Sequence, residues 1–100
     1  VYYVLTAGDV ASIRVRRALP PSVVAWNDVY EGEPYPAMIE RVWTSEGVSN
    51  LKVMLDGIDA HWATSVPFDT DKVPGTWHWM FEGQQTRYRP DRVEGAKAVV

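Results

Sequence analysis

Apolar and polar residues alternate most regularly in the middle of the chain, over residues 50–66. In the first half of this segment every second residue is a large aliphatic one: Leu51, Val53 and Leu55. Such a period of two is typical of a strand with one buried face. A second alternating stretch follows Asp56-Gly57, which predicts a type I′ hairpin turn because both central residues of that turn need a positive φ. The segment therefore predicts an antiparallel hairpin, with His61 on the solvent side of its second strand and Trp62 on the opposite side.

A helix is predicted near the N-terminus, after a β-branched and aromatic stretch (residues 1–5) typical of a strand or an extended arm. Thr6, followed three residues later by Asp9, forms a variant of the capping box. The helix that it opens covers about residues 7–19 and ends at two consecutive prolines, which cannot continue it. Three residues fall on one face of this helix: Val10, Ile13 and Arg17.

Two further strands are predicted, over residues 37–43 and 76–81. In the second, Trp77 and Trp79 alternate with His78, which places this histidine too on the solvent side. Residues 82–100 show no apolar period and predict an extended C-terminal tail.

Together these elements predict a mainly β fold. It is a small SH3-like barrel or sandwich of about four to five antiparallel strands, with one N-terminal helix and a C-terminal extension. The alternative to a barrel is an open sandwich of about four or five strands packed under the N-terminal helix. The predicted parts are an N-terminal arm and helix over residues 1–22, a β-barrel core over 23–81, and the extension over 82–100.

Composition narrows the function classes. The chain of 100 residues makes one domain, and the absence of cysteine excludes disulfides and thiolate metal sites. No apolar run is long enough to cross a bilayer, so no membrane partner is expected. Residues 27–71 carry nine acidic and two basic residues, whereas both flanking regions are net positive. This distribution favours head-to-tail contacts between copies of the chain.

Three segments carry a resemblance to a known group of proteins: YPAMIERVW, VSNLKVMLDGIDAHWATSV and PGTWHW, within residues 35–79. The pattern LDG-x-D-x-x-W-x-T-S followed by P-G-T-W-H-W is similar to small uncharacterised proteins of actinobacterial bacteriophages and prophages. The resemblance implies a phage origin and a β-rich fold, and it implies no reaction. It also implies a location in the virion, or in the host cytoplasm during infection.

No cofactor or metal ion is expected. The only histidines are His61 and His78, and their spacing from nearby acidic residues matches no metal-binding motif. Asp69-Thr-Asp71 resembles the start of a calcium loop, but it lacks the glycine and the glutamate that complete one, so an Asx turn is predicted instead.

An enzyme is not expected either. The chain has no Gly-x-Ser-x-Gly nucleophile turn and no phosphate-binding glycine loop. Nucleic-acid binding is an open alternative, because small barrels bind nucleic acids and six arginines could contact phosphates: Arg14, Arg16, Arg17, Arg87, Arg89 and Arg92. The acidic middle of the chain argues against this alternative, because negative charge repels the phosphates that dominate such binding.

The hypothesis favoured by the sequence is a non-catalytic protein–protein interaction module. A barrel of this size cannot bury all five tryptophans, and the predicted exposed patch comprises Trp79, Met80 and Phe81. The N-terminal arm and helix and the C-terminal tail are expected to add contacts, through Tyr2, Tyr3, Arg14, Arg17, Arg87, Tyr88, Arg89 and Arg92. The first candidate is a phage structural accessory protein that binds copies of itself or other phage structural proteins, such as a capsid decoration or head–tail component. The second is a soluble phage-encoded binder of a host protein.

Overall fold

The structure, a computed structural model, describes residues 1–19 and 25–81. It contains one helix and five strands: β1 (Tyr2–Val4), α1 (Ala7–Ala18), β2 (Pro34–Val42), β3 (Ser49–Met54), β4 (Ala60–Val66) and β5 (Trp77–His78). The strands form one antiparallel sheet in the order β4-β3-β2-β1-β5. The predicted mainly β fold with one N-terminal helix is confirmed. Because β4 and β5 are opposite edges, the strands form one open sheet within the described residues and do not close into the predicted SH3-like barrel.

The local signals at the N-terminus predict α1 correctly. The Thr6 Oγ1 accepts a hydrogen bond from the Asp9 backbone N–H at 3.0 Å, and the Asp9 carboxylate accepts one from the Thr6 N–H at 2.9 Å. This reciprocal capping box satisfies two donors that the first turn of a helix leaves free. The buried residues of α1 are the three predicted: Val10, Ile13 and Arg17.

The core lies between α1 and one face of the sheet. Leu51 and Val53 of β3 are fully buried there, and Val10 and Ile13 of α1 join the same cluster. The cluster extends across the sheet through Tyr3, Tyr35, Ala37, Ala63 and Trp77. Removal of this apolar surface from water is the main force that holds the helix on the sheet.

The hairpin β3–β4 forms as predicted, but the predicted type I′ turn is wrong. Neither Asp56 nor Gly57 has a positive φ. Residues 55–59 instead dock onto the segment before β2, where the Ile58 N–H donates to the Ala25 carbonyl at 3.0 Å and the Asn27 N–H donates to the Asp56 carbonyl at 2.6 Å. These long-range hydrogen bonds, and not the preference of a two-residue turn, set the loop conformation.

The N-terminal residues are not a free arm. β1 lies inside the sheet, where Tyr3 pairs with Tyr35 of β2 on one side and with Trp77 of β5 on the other. Both hydrogen-bonding edges of β1 are therefore used within the chain, and the expectation that residues 1–5 bridge to a neighbour is corrected. The predicted last strand over residues 76–81 is shorter, Trp77–His78. The predicted tail over residues 82–100 lies outside the described residues.

Candidate interaction surfaces

The sheet face opposite the core carries large apolar side chains. Since Leu51 and Val53 point into the core, their neighbours Lys52 and Met54 lie on the other side of β3. The register places Met38 and Trp62 beside Lys52, and Ala60 beside Met54. We call this set (Met38, Lys52, Met54, Ala60 and Trp62) the outer face. Its three largest apolar side chains are 60% (Met38), 42% (Met54) and 66% (Trp62) exposed.

Polar groups border the outer face. A shallow depression of about 300 Å³ is lined by Glu40, Lys52, Ala60, His61 and Trp62, so a carboxylate and an ammonium group stand beside the exposed indole. A second aromatic side chain, Trp43, is half-exposed but held in place. Its indole N–H donates to the Asn50 side chain at 2.9 Å, and the Arg41 guanidinium stacks 4.1 Å from its ring.

A second candidate surface is a groove beside β5, which we call the β5 groove. It has a volume of about 420 Å³ and is lined by Phe68, Thr70, Lys72, His78, Trp79, Met80 and Phe81. The three residues predicted as the exposed patch therefore lie together in this groove. Phe81 is 70% exposed, whereas Trp79 is partly buried and meets Trp77 edge-on with the ring centroids 5.0 Å apart.

His78 forms the inner wall of the β5 groove. Its side chain is buried next to the Tyr2 ring, 5.6 Å away, and its Nδ1 has no hydrogen-bond partner within the described residues. Burial lowers the pKa of His78, and the positive charges of Lys72 and the N-terminal amine lower it further. The expectation that His78 faces solvent is wrong, because the ring packs between Tyr2 and the groove.

Two residues predicted to contact a partner are interior residues, and this part of the prediction is corrected. The Tyr3 hydroxyl donates to the Asp9 carboxylate inside the chain. Arg17 donates twice to the Asp59 carboxylate at 2.8 Å and once to the Asn27 carbonyl at 2.8 Å. Both side chains hold α1 and the sheet together and are not available to another molecule.

Basic residues of the helix pair with acidic residues of the middle region within the same molecule. Arg14 forms an exposed bidentate pair with Asp28, and Arg17 pairs with Asp59. The basic helix thus binds carboxylates from the acidic middle of the same molecule, which removes the observation that favoured head-to-tail contacts through α1. Of the other predicted contact residues, Tyr2 is partly buried in β1, and Arg87, Tyr88, Arg89 and Arg92 lie outside the described residues.

His61 belongs to a polar network under α1, and its predicted position on the solvent side is wrong. Its Nε2 lies 2.9 Å from Asp9 Oδ1 and its Nδ1 lies 3.2 Å from the Arg16 guanidinium. Because arginine can only donate, Nδ1 accepts, and the proton is assigned to Nε2, which donates to Asp9. Burial alone would raise the pKa of Asp9, but hydrogen bonds from His61, Tyr3 and Thr6 outweigh it and hold this pKa well below its usual range.

The Asp9–His61 pair resembles two members of a catalytic triad, but its geometry does not serve a nucleophile. In a triad the second imidazole nitrogen faces a serine or cysteine, whereas here it faces the Arg16 guanidinium. The network therefore joins α1 to β4. Sequence patterns missed it because Asp9 and His61 are 52 positions apart.

The remaining candidate sites from the sequence are simpler. Asp69 accepts a hydrogen bond from the Asp71 N–H at 2.8 Å, so the predicted Asx turn is confirmed. Within residues 1–19 and 25–81, no three potential metal-ligating side chains of His, Asp or Glu come together. In the same part of the chain, no helix has the length and apolarity to cross a membrane.

No protein-family model, curated protein or solved structure matches this chain. A phage origin therefore stays a prediction from the segments within residues 35–79.

Proposed function

We propose that this chain is a non-catalytic protein–protein interaction module that binds a second copy of itself through the outer face. The observation that carries the proposal is the exposure of Met38, Met54 and Trp62 on neighbouring strands of one face. Full burial of an apolar side chain of this size contributes about 1.5–3 kcal/mol. Contiguous exposed apolar surface of this kind is typical of interaction sites.

The edge strand β4 offers a different geometry for association, a strand-to-strand contact with a second copy. On the side away from β3, its backbone N–H and C=O groups have no neighbouring strand among the described residues. Proteins usually protect such an edge with lysine, proline or an inward-pointing charge. Residues 60–66 contain no lysine, arginine, acid or proline, and their one titratable side chain, His61, is buried. Only the irregular pairing near Ser65 interrupts the strand.

The charges beside the outer face are self-complementary. Glu40 and Lys52 line the same depression next to Trp62. When two outer faces pack against each other about a two-fold axis, each surface meets its own copy, so Lys52 of one chain can pair with Glu40 of the other. This arrangement favours a second copy over an unrelated partner.

Self-association agrees with the more specific proposal that the chain is a phage structural accessory protein, such as a capsid decoration or head–tail component. Proteins of this kind act in many copies, and the resemblance of residues 35–79 supports the assignment. A phage-encoded binder of a host protein would use the same outer face but would not self-associate. The experiment below distinguishes the two, because such a binder would stay monomeric.

Sedimentation equilibrium between about 5 and 500 µM tests the proposal. We expect reversible dimerisation of the full chain, and Trp62→Ser should weaken the dimer about 30-fold or more, because a buried tryptophan at an interface contributes 2 kcal/mol or more. The matched control is Val15→Ser, which removes an equally exposed apolar side chain from α1. A monomer at every concentration, or an equal effect of both substitutions, would contradict self-association through the outer face.

A further inference from the structure

The β5 groove combines apolar walls with hydrogen-bond donors. Its volume of about 420 Å³ lies within the range of small-ligand sites, roughly 300–1,000 Å³. Phe68, Trp79 and Phe81 supply aromatic surface, and Lys72 and Thr70 supply an ammonium group and a hydroxyl. Asp69 and Asp71, in the loop that carries Lys72, are not among the lining residues.

His78 contributes a buried imidazole to the wall of this groove. The residue is 7% exposed, and its Nδ1 is buried without a partner in the described part of the chain, although buried polar atoms are nearly always hydrogen-bonded. A proton on Nδ1 would leave a buried donor unsatisfied, which is costlier than an unused lone pair. The imidazole therefore carries its proton on Nε2.

We propose that the β5 groove binds a carboxylate group attached to an aromatic or apolar side group. The Lys72 ammonium supplies the opposite charge, and His78 Nε2–H and the Thr70 hydroxyl donate hydrogen bonds to the carboxylate oxygens. The apolar part of the ligand packs against Phe68, Trp79 and Phe81. This site lies beside β5, at the sheet edge opposite β4, so it does not depend on the proposed self-association.

A matched pair of ligands tests the role of the charge. N-acetyl-phenylalanine and its neutral amide are titrated into the full chain, and the NMR signals of the His78 ring and the Trp79 indole N–H are followed. We expect saturable binding of the acid, with the amide about 10-fold weaker or more, as for a lost charge-assisted hydrogen bond. Phenylacetate and its amide form a second pair. Stronger binding of N-acetyl-phenylalanine assigns the site to a peptide C-terminus, and stronger binding of phenylacetate assigns it to a free acid.

Two lysine variants locate the site. Lys72→Gln should weaken binding of the acid about 10-fold, to the level of the amide, whereas Lys52→Gln on the outer face should leave it unchanged. The substitution is at an exposed residue, so the fold is retained. Equal binding of acid and amide, equal effects of the two substitutions, or no saturation below about 10 mM would each overturn the proposal, since a site built for a carboxylate discriminates by charge.

Discussion

Gly57 lies against the segment that precedes β2, and its neighbours explain why this position has no side chain. A Cβ atom there would lie 2.5 Å from the Cβ and 2.8 Å from the Cα of Trp26, and 3.0 Å from the Ala25 carbonyl oxygen. These are atoms of the backbone or next to it, so they cannot rotate away. The sequence indicated correctly that this position requires glycine. The predicted reason, a type I′ turn, is wrong, because Gly57 does not have a positive φ.

Gly57→Ala should lower the free energy of unfolding by about 1–3 kcal/mol, because the added methyl group separates residues 55–59 from residues 25–27. Urea denaturation measures the change. Gly8→Ala is the control, because a Cβ at Gly8 meets only the Thr6 hydroxyl at an ordinary 3.7 Å. Within α1 this change should stabilise the protein by about 0.5–1 kcal/mol. A midpoint like that of the native chain for Gly57→Ala would show that this contact is not formed.

At the scale of elements, polar pairs fix α1 to the sheet. Arg17 is buried and binds Asp59, which raises the pKa of the arginine and lowers that of the carboxyl. The Arg17 guanidinium also stacks 4.7 Å from the Trp26 ring, so one side chain joins α1 to both the hairpin loop and the segment before β2. Arg14, one turn earlier, makes a similar pair with Asp28 at the exposed surface.

Arg17→Met should therefore be far more harmful than Arg14→Met. Removal of Arg17 leaves the Asp59 charge and the Asn27 carbonyl without their donor, and we expect a loss of about 2–4 kcal/mol in the free energy of unfolding. Arg14→Met breaks an exposed ion pair and one hydrogen bond to the Val29 carbonyl, so its thermal midpoint should fall much less than that of Arg17→Met. Similar losses in both variants would mean that Arg17 is not held in the interior.

The Asp9 and Asp59 carboxylates predict a loss of stability in acid. The pKa values of Asp9 and Asp59 are both lowered on folding, so the unfolded chain binds protons more readily than the folded chain. Their contribution is complete above the ordinary carboxyl pKa of about 4 and is lost progressively as the pH falls below it.

Urea midpoints measured from pH 7 down to about pH 2.5 should show this decline. Asp9→Asn should be less stable than the native chain at pH 7, and the difference should shrink in acid, because only the native chain loses the Asp9 carboxylate. Asp71→Asn, in an exposed loop, serves as the control and should follow the native curve. A constant difference between Asp9→Asn and the native chain would contradict the role of the Asp9 charge.

For the whole molecule, the open sheet leaves one broad face uncovered by α1. The outer face adjoins the β4 edge, and the β5 groove lies beside the opposite edge strand. Association along β4 would therefore leave the β5 groove open to solvent. The molecule therefore has two separate candidate surfaces, one proposed to bind another copy of the chain and the other proposed to bind a small acidic group.

Local signals determined several elements correctly. The Thr6–Asp9 capping box and the spacing of Val10, Ile13 and Arg17 predicted α1 and its buried face, because both depend on residues within one or two turns. The alternation of Leu51, Val53 and Leu55 predicted β3 and its inner side for the same reason.

The sequence by itself thus determined the type of most elements, the inner faces of α1 and β3, and a mainly β fold. Tertiary structure alone decided which polar residues could be buried. His61 lies inside because Asp9 and Arg16 bond it from α1, and Trp62 lies outside because the register pairs it with Lys52. The hydrophobicity of each residue suggests the reverse. Burial of a polar side chain depends on partners that are distant in sequence, and no local pattern records them.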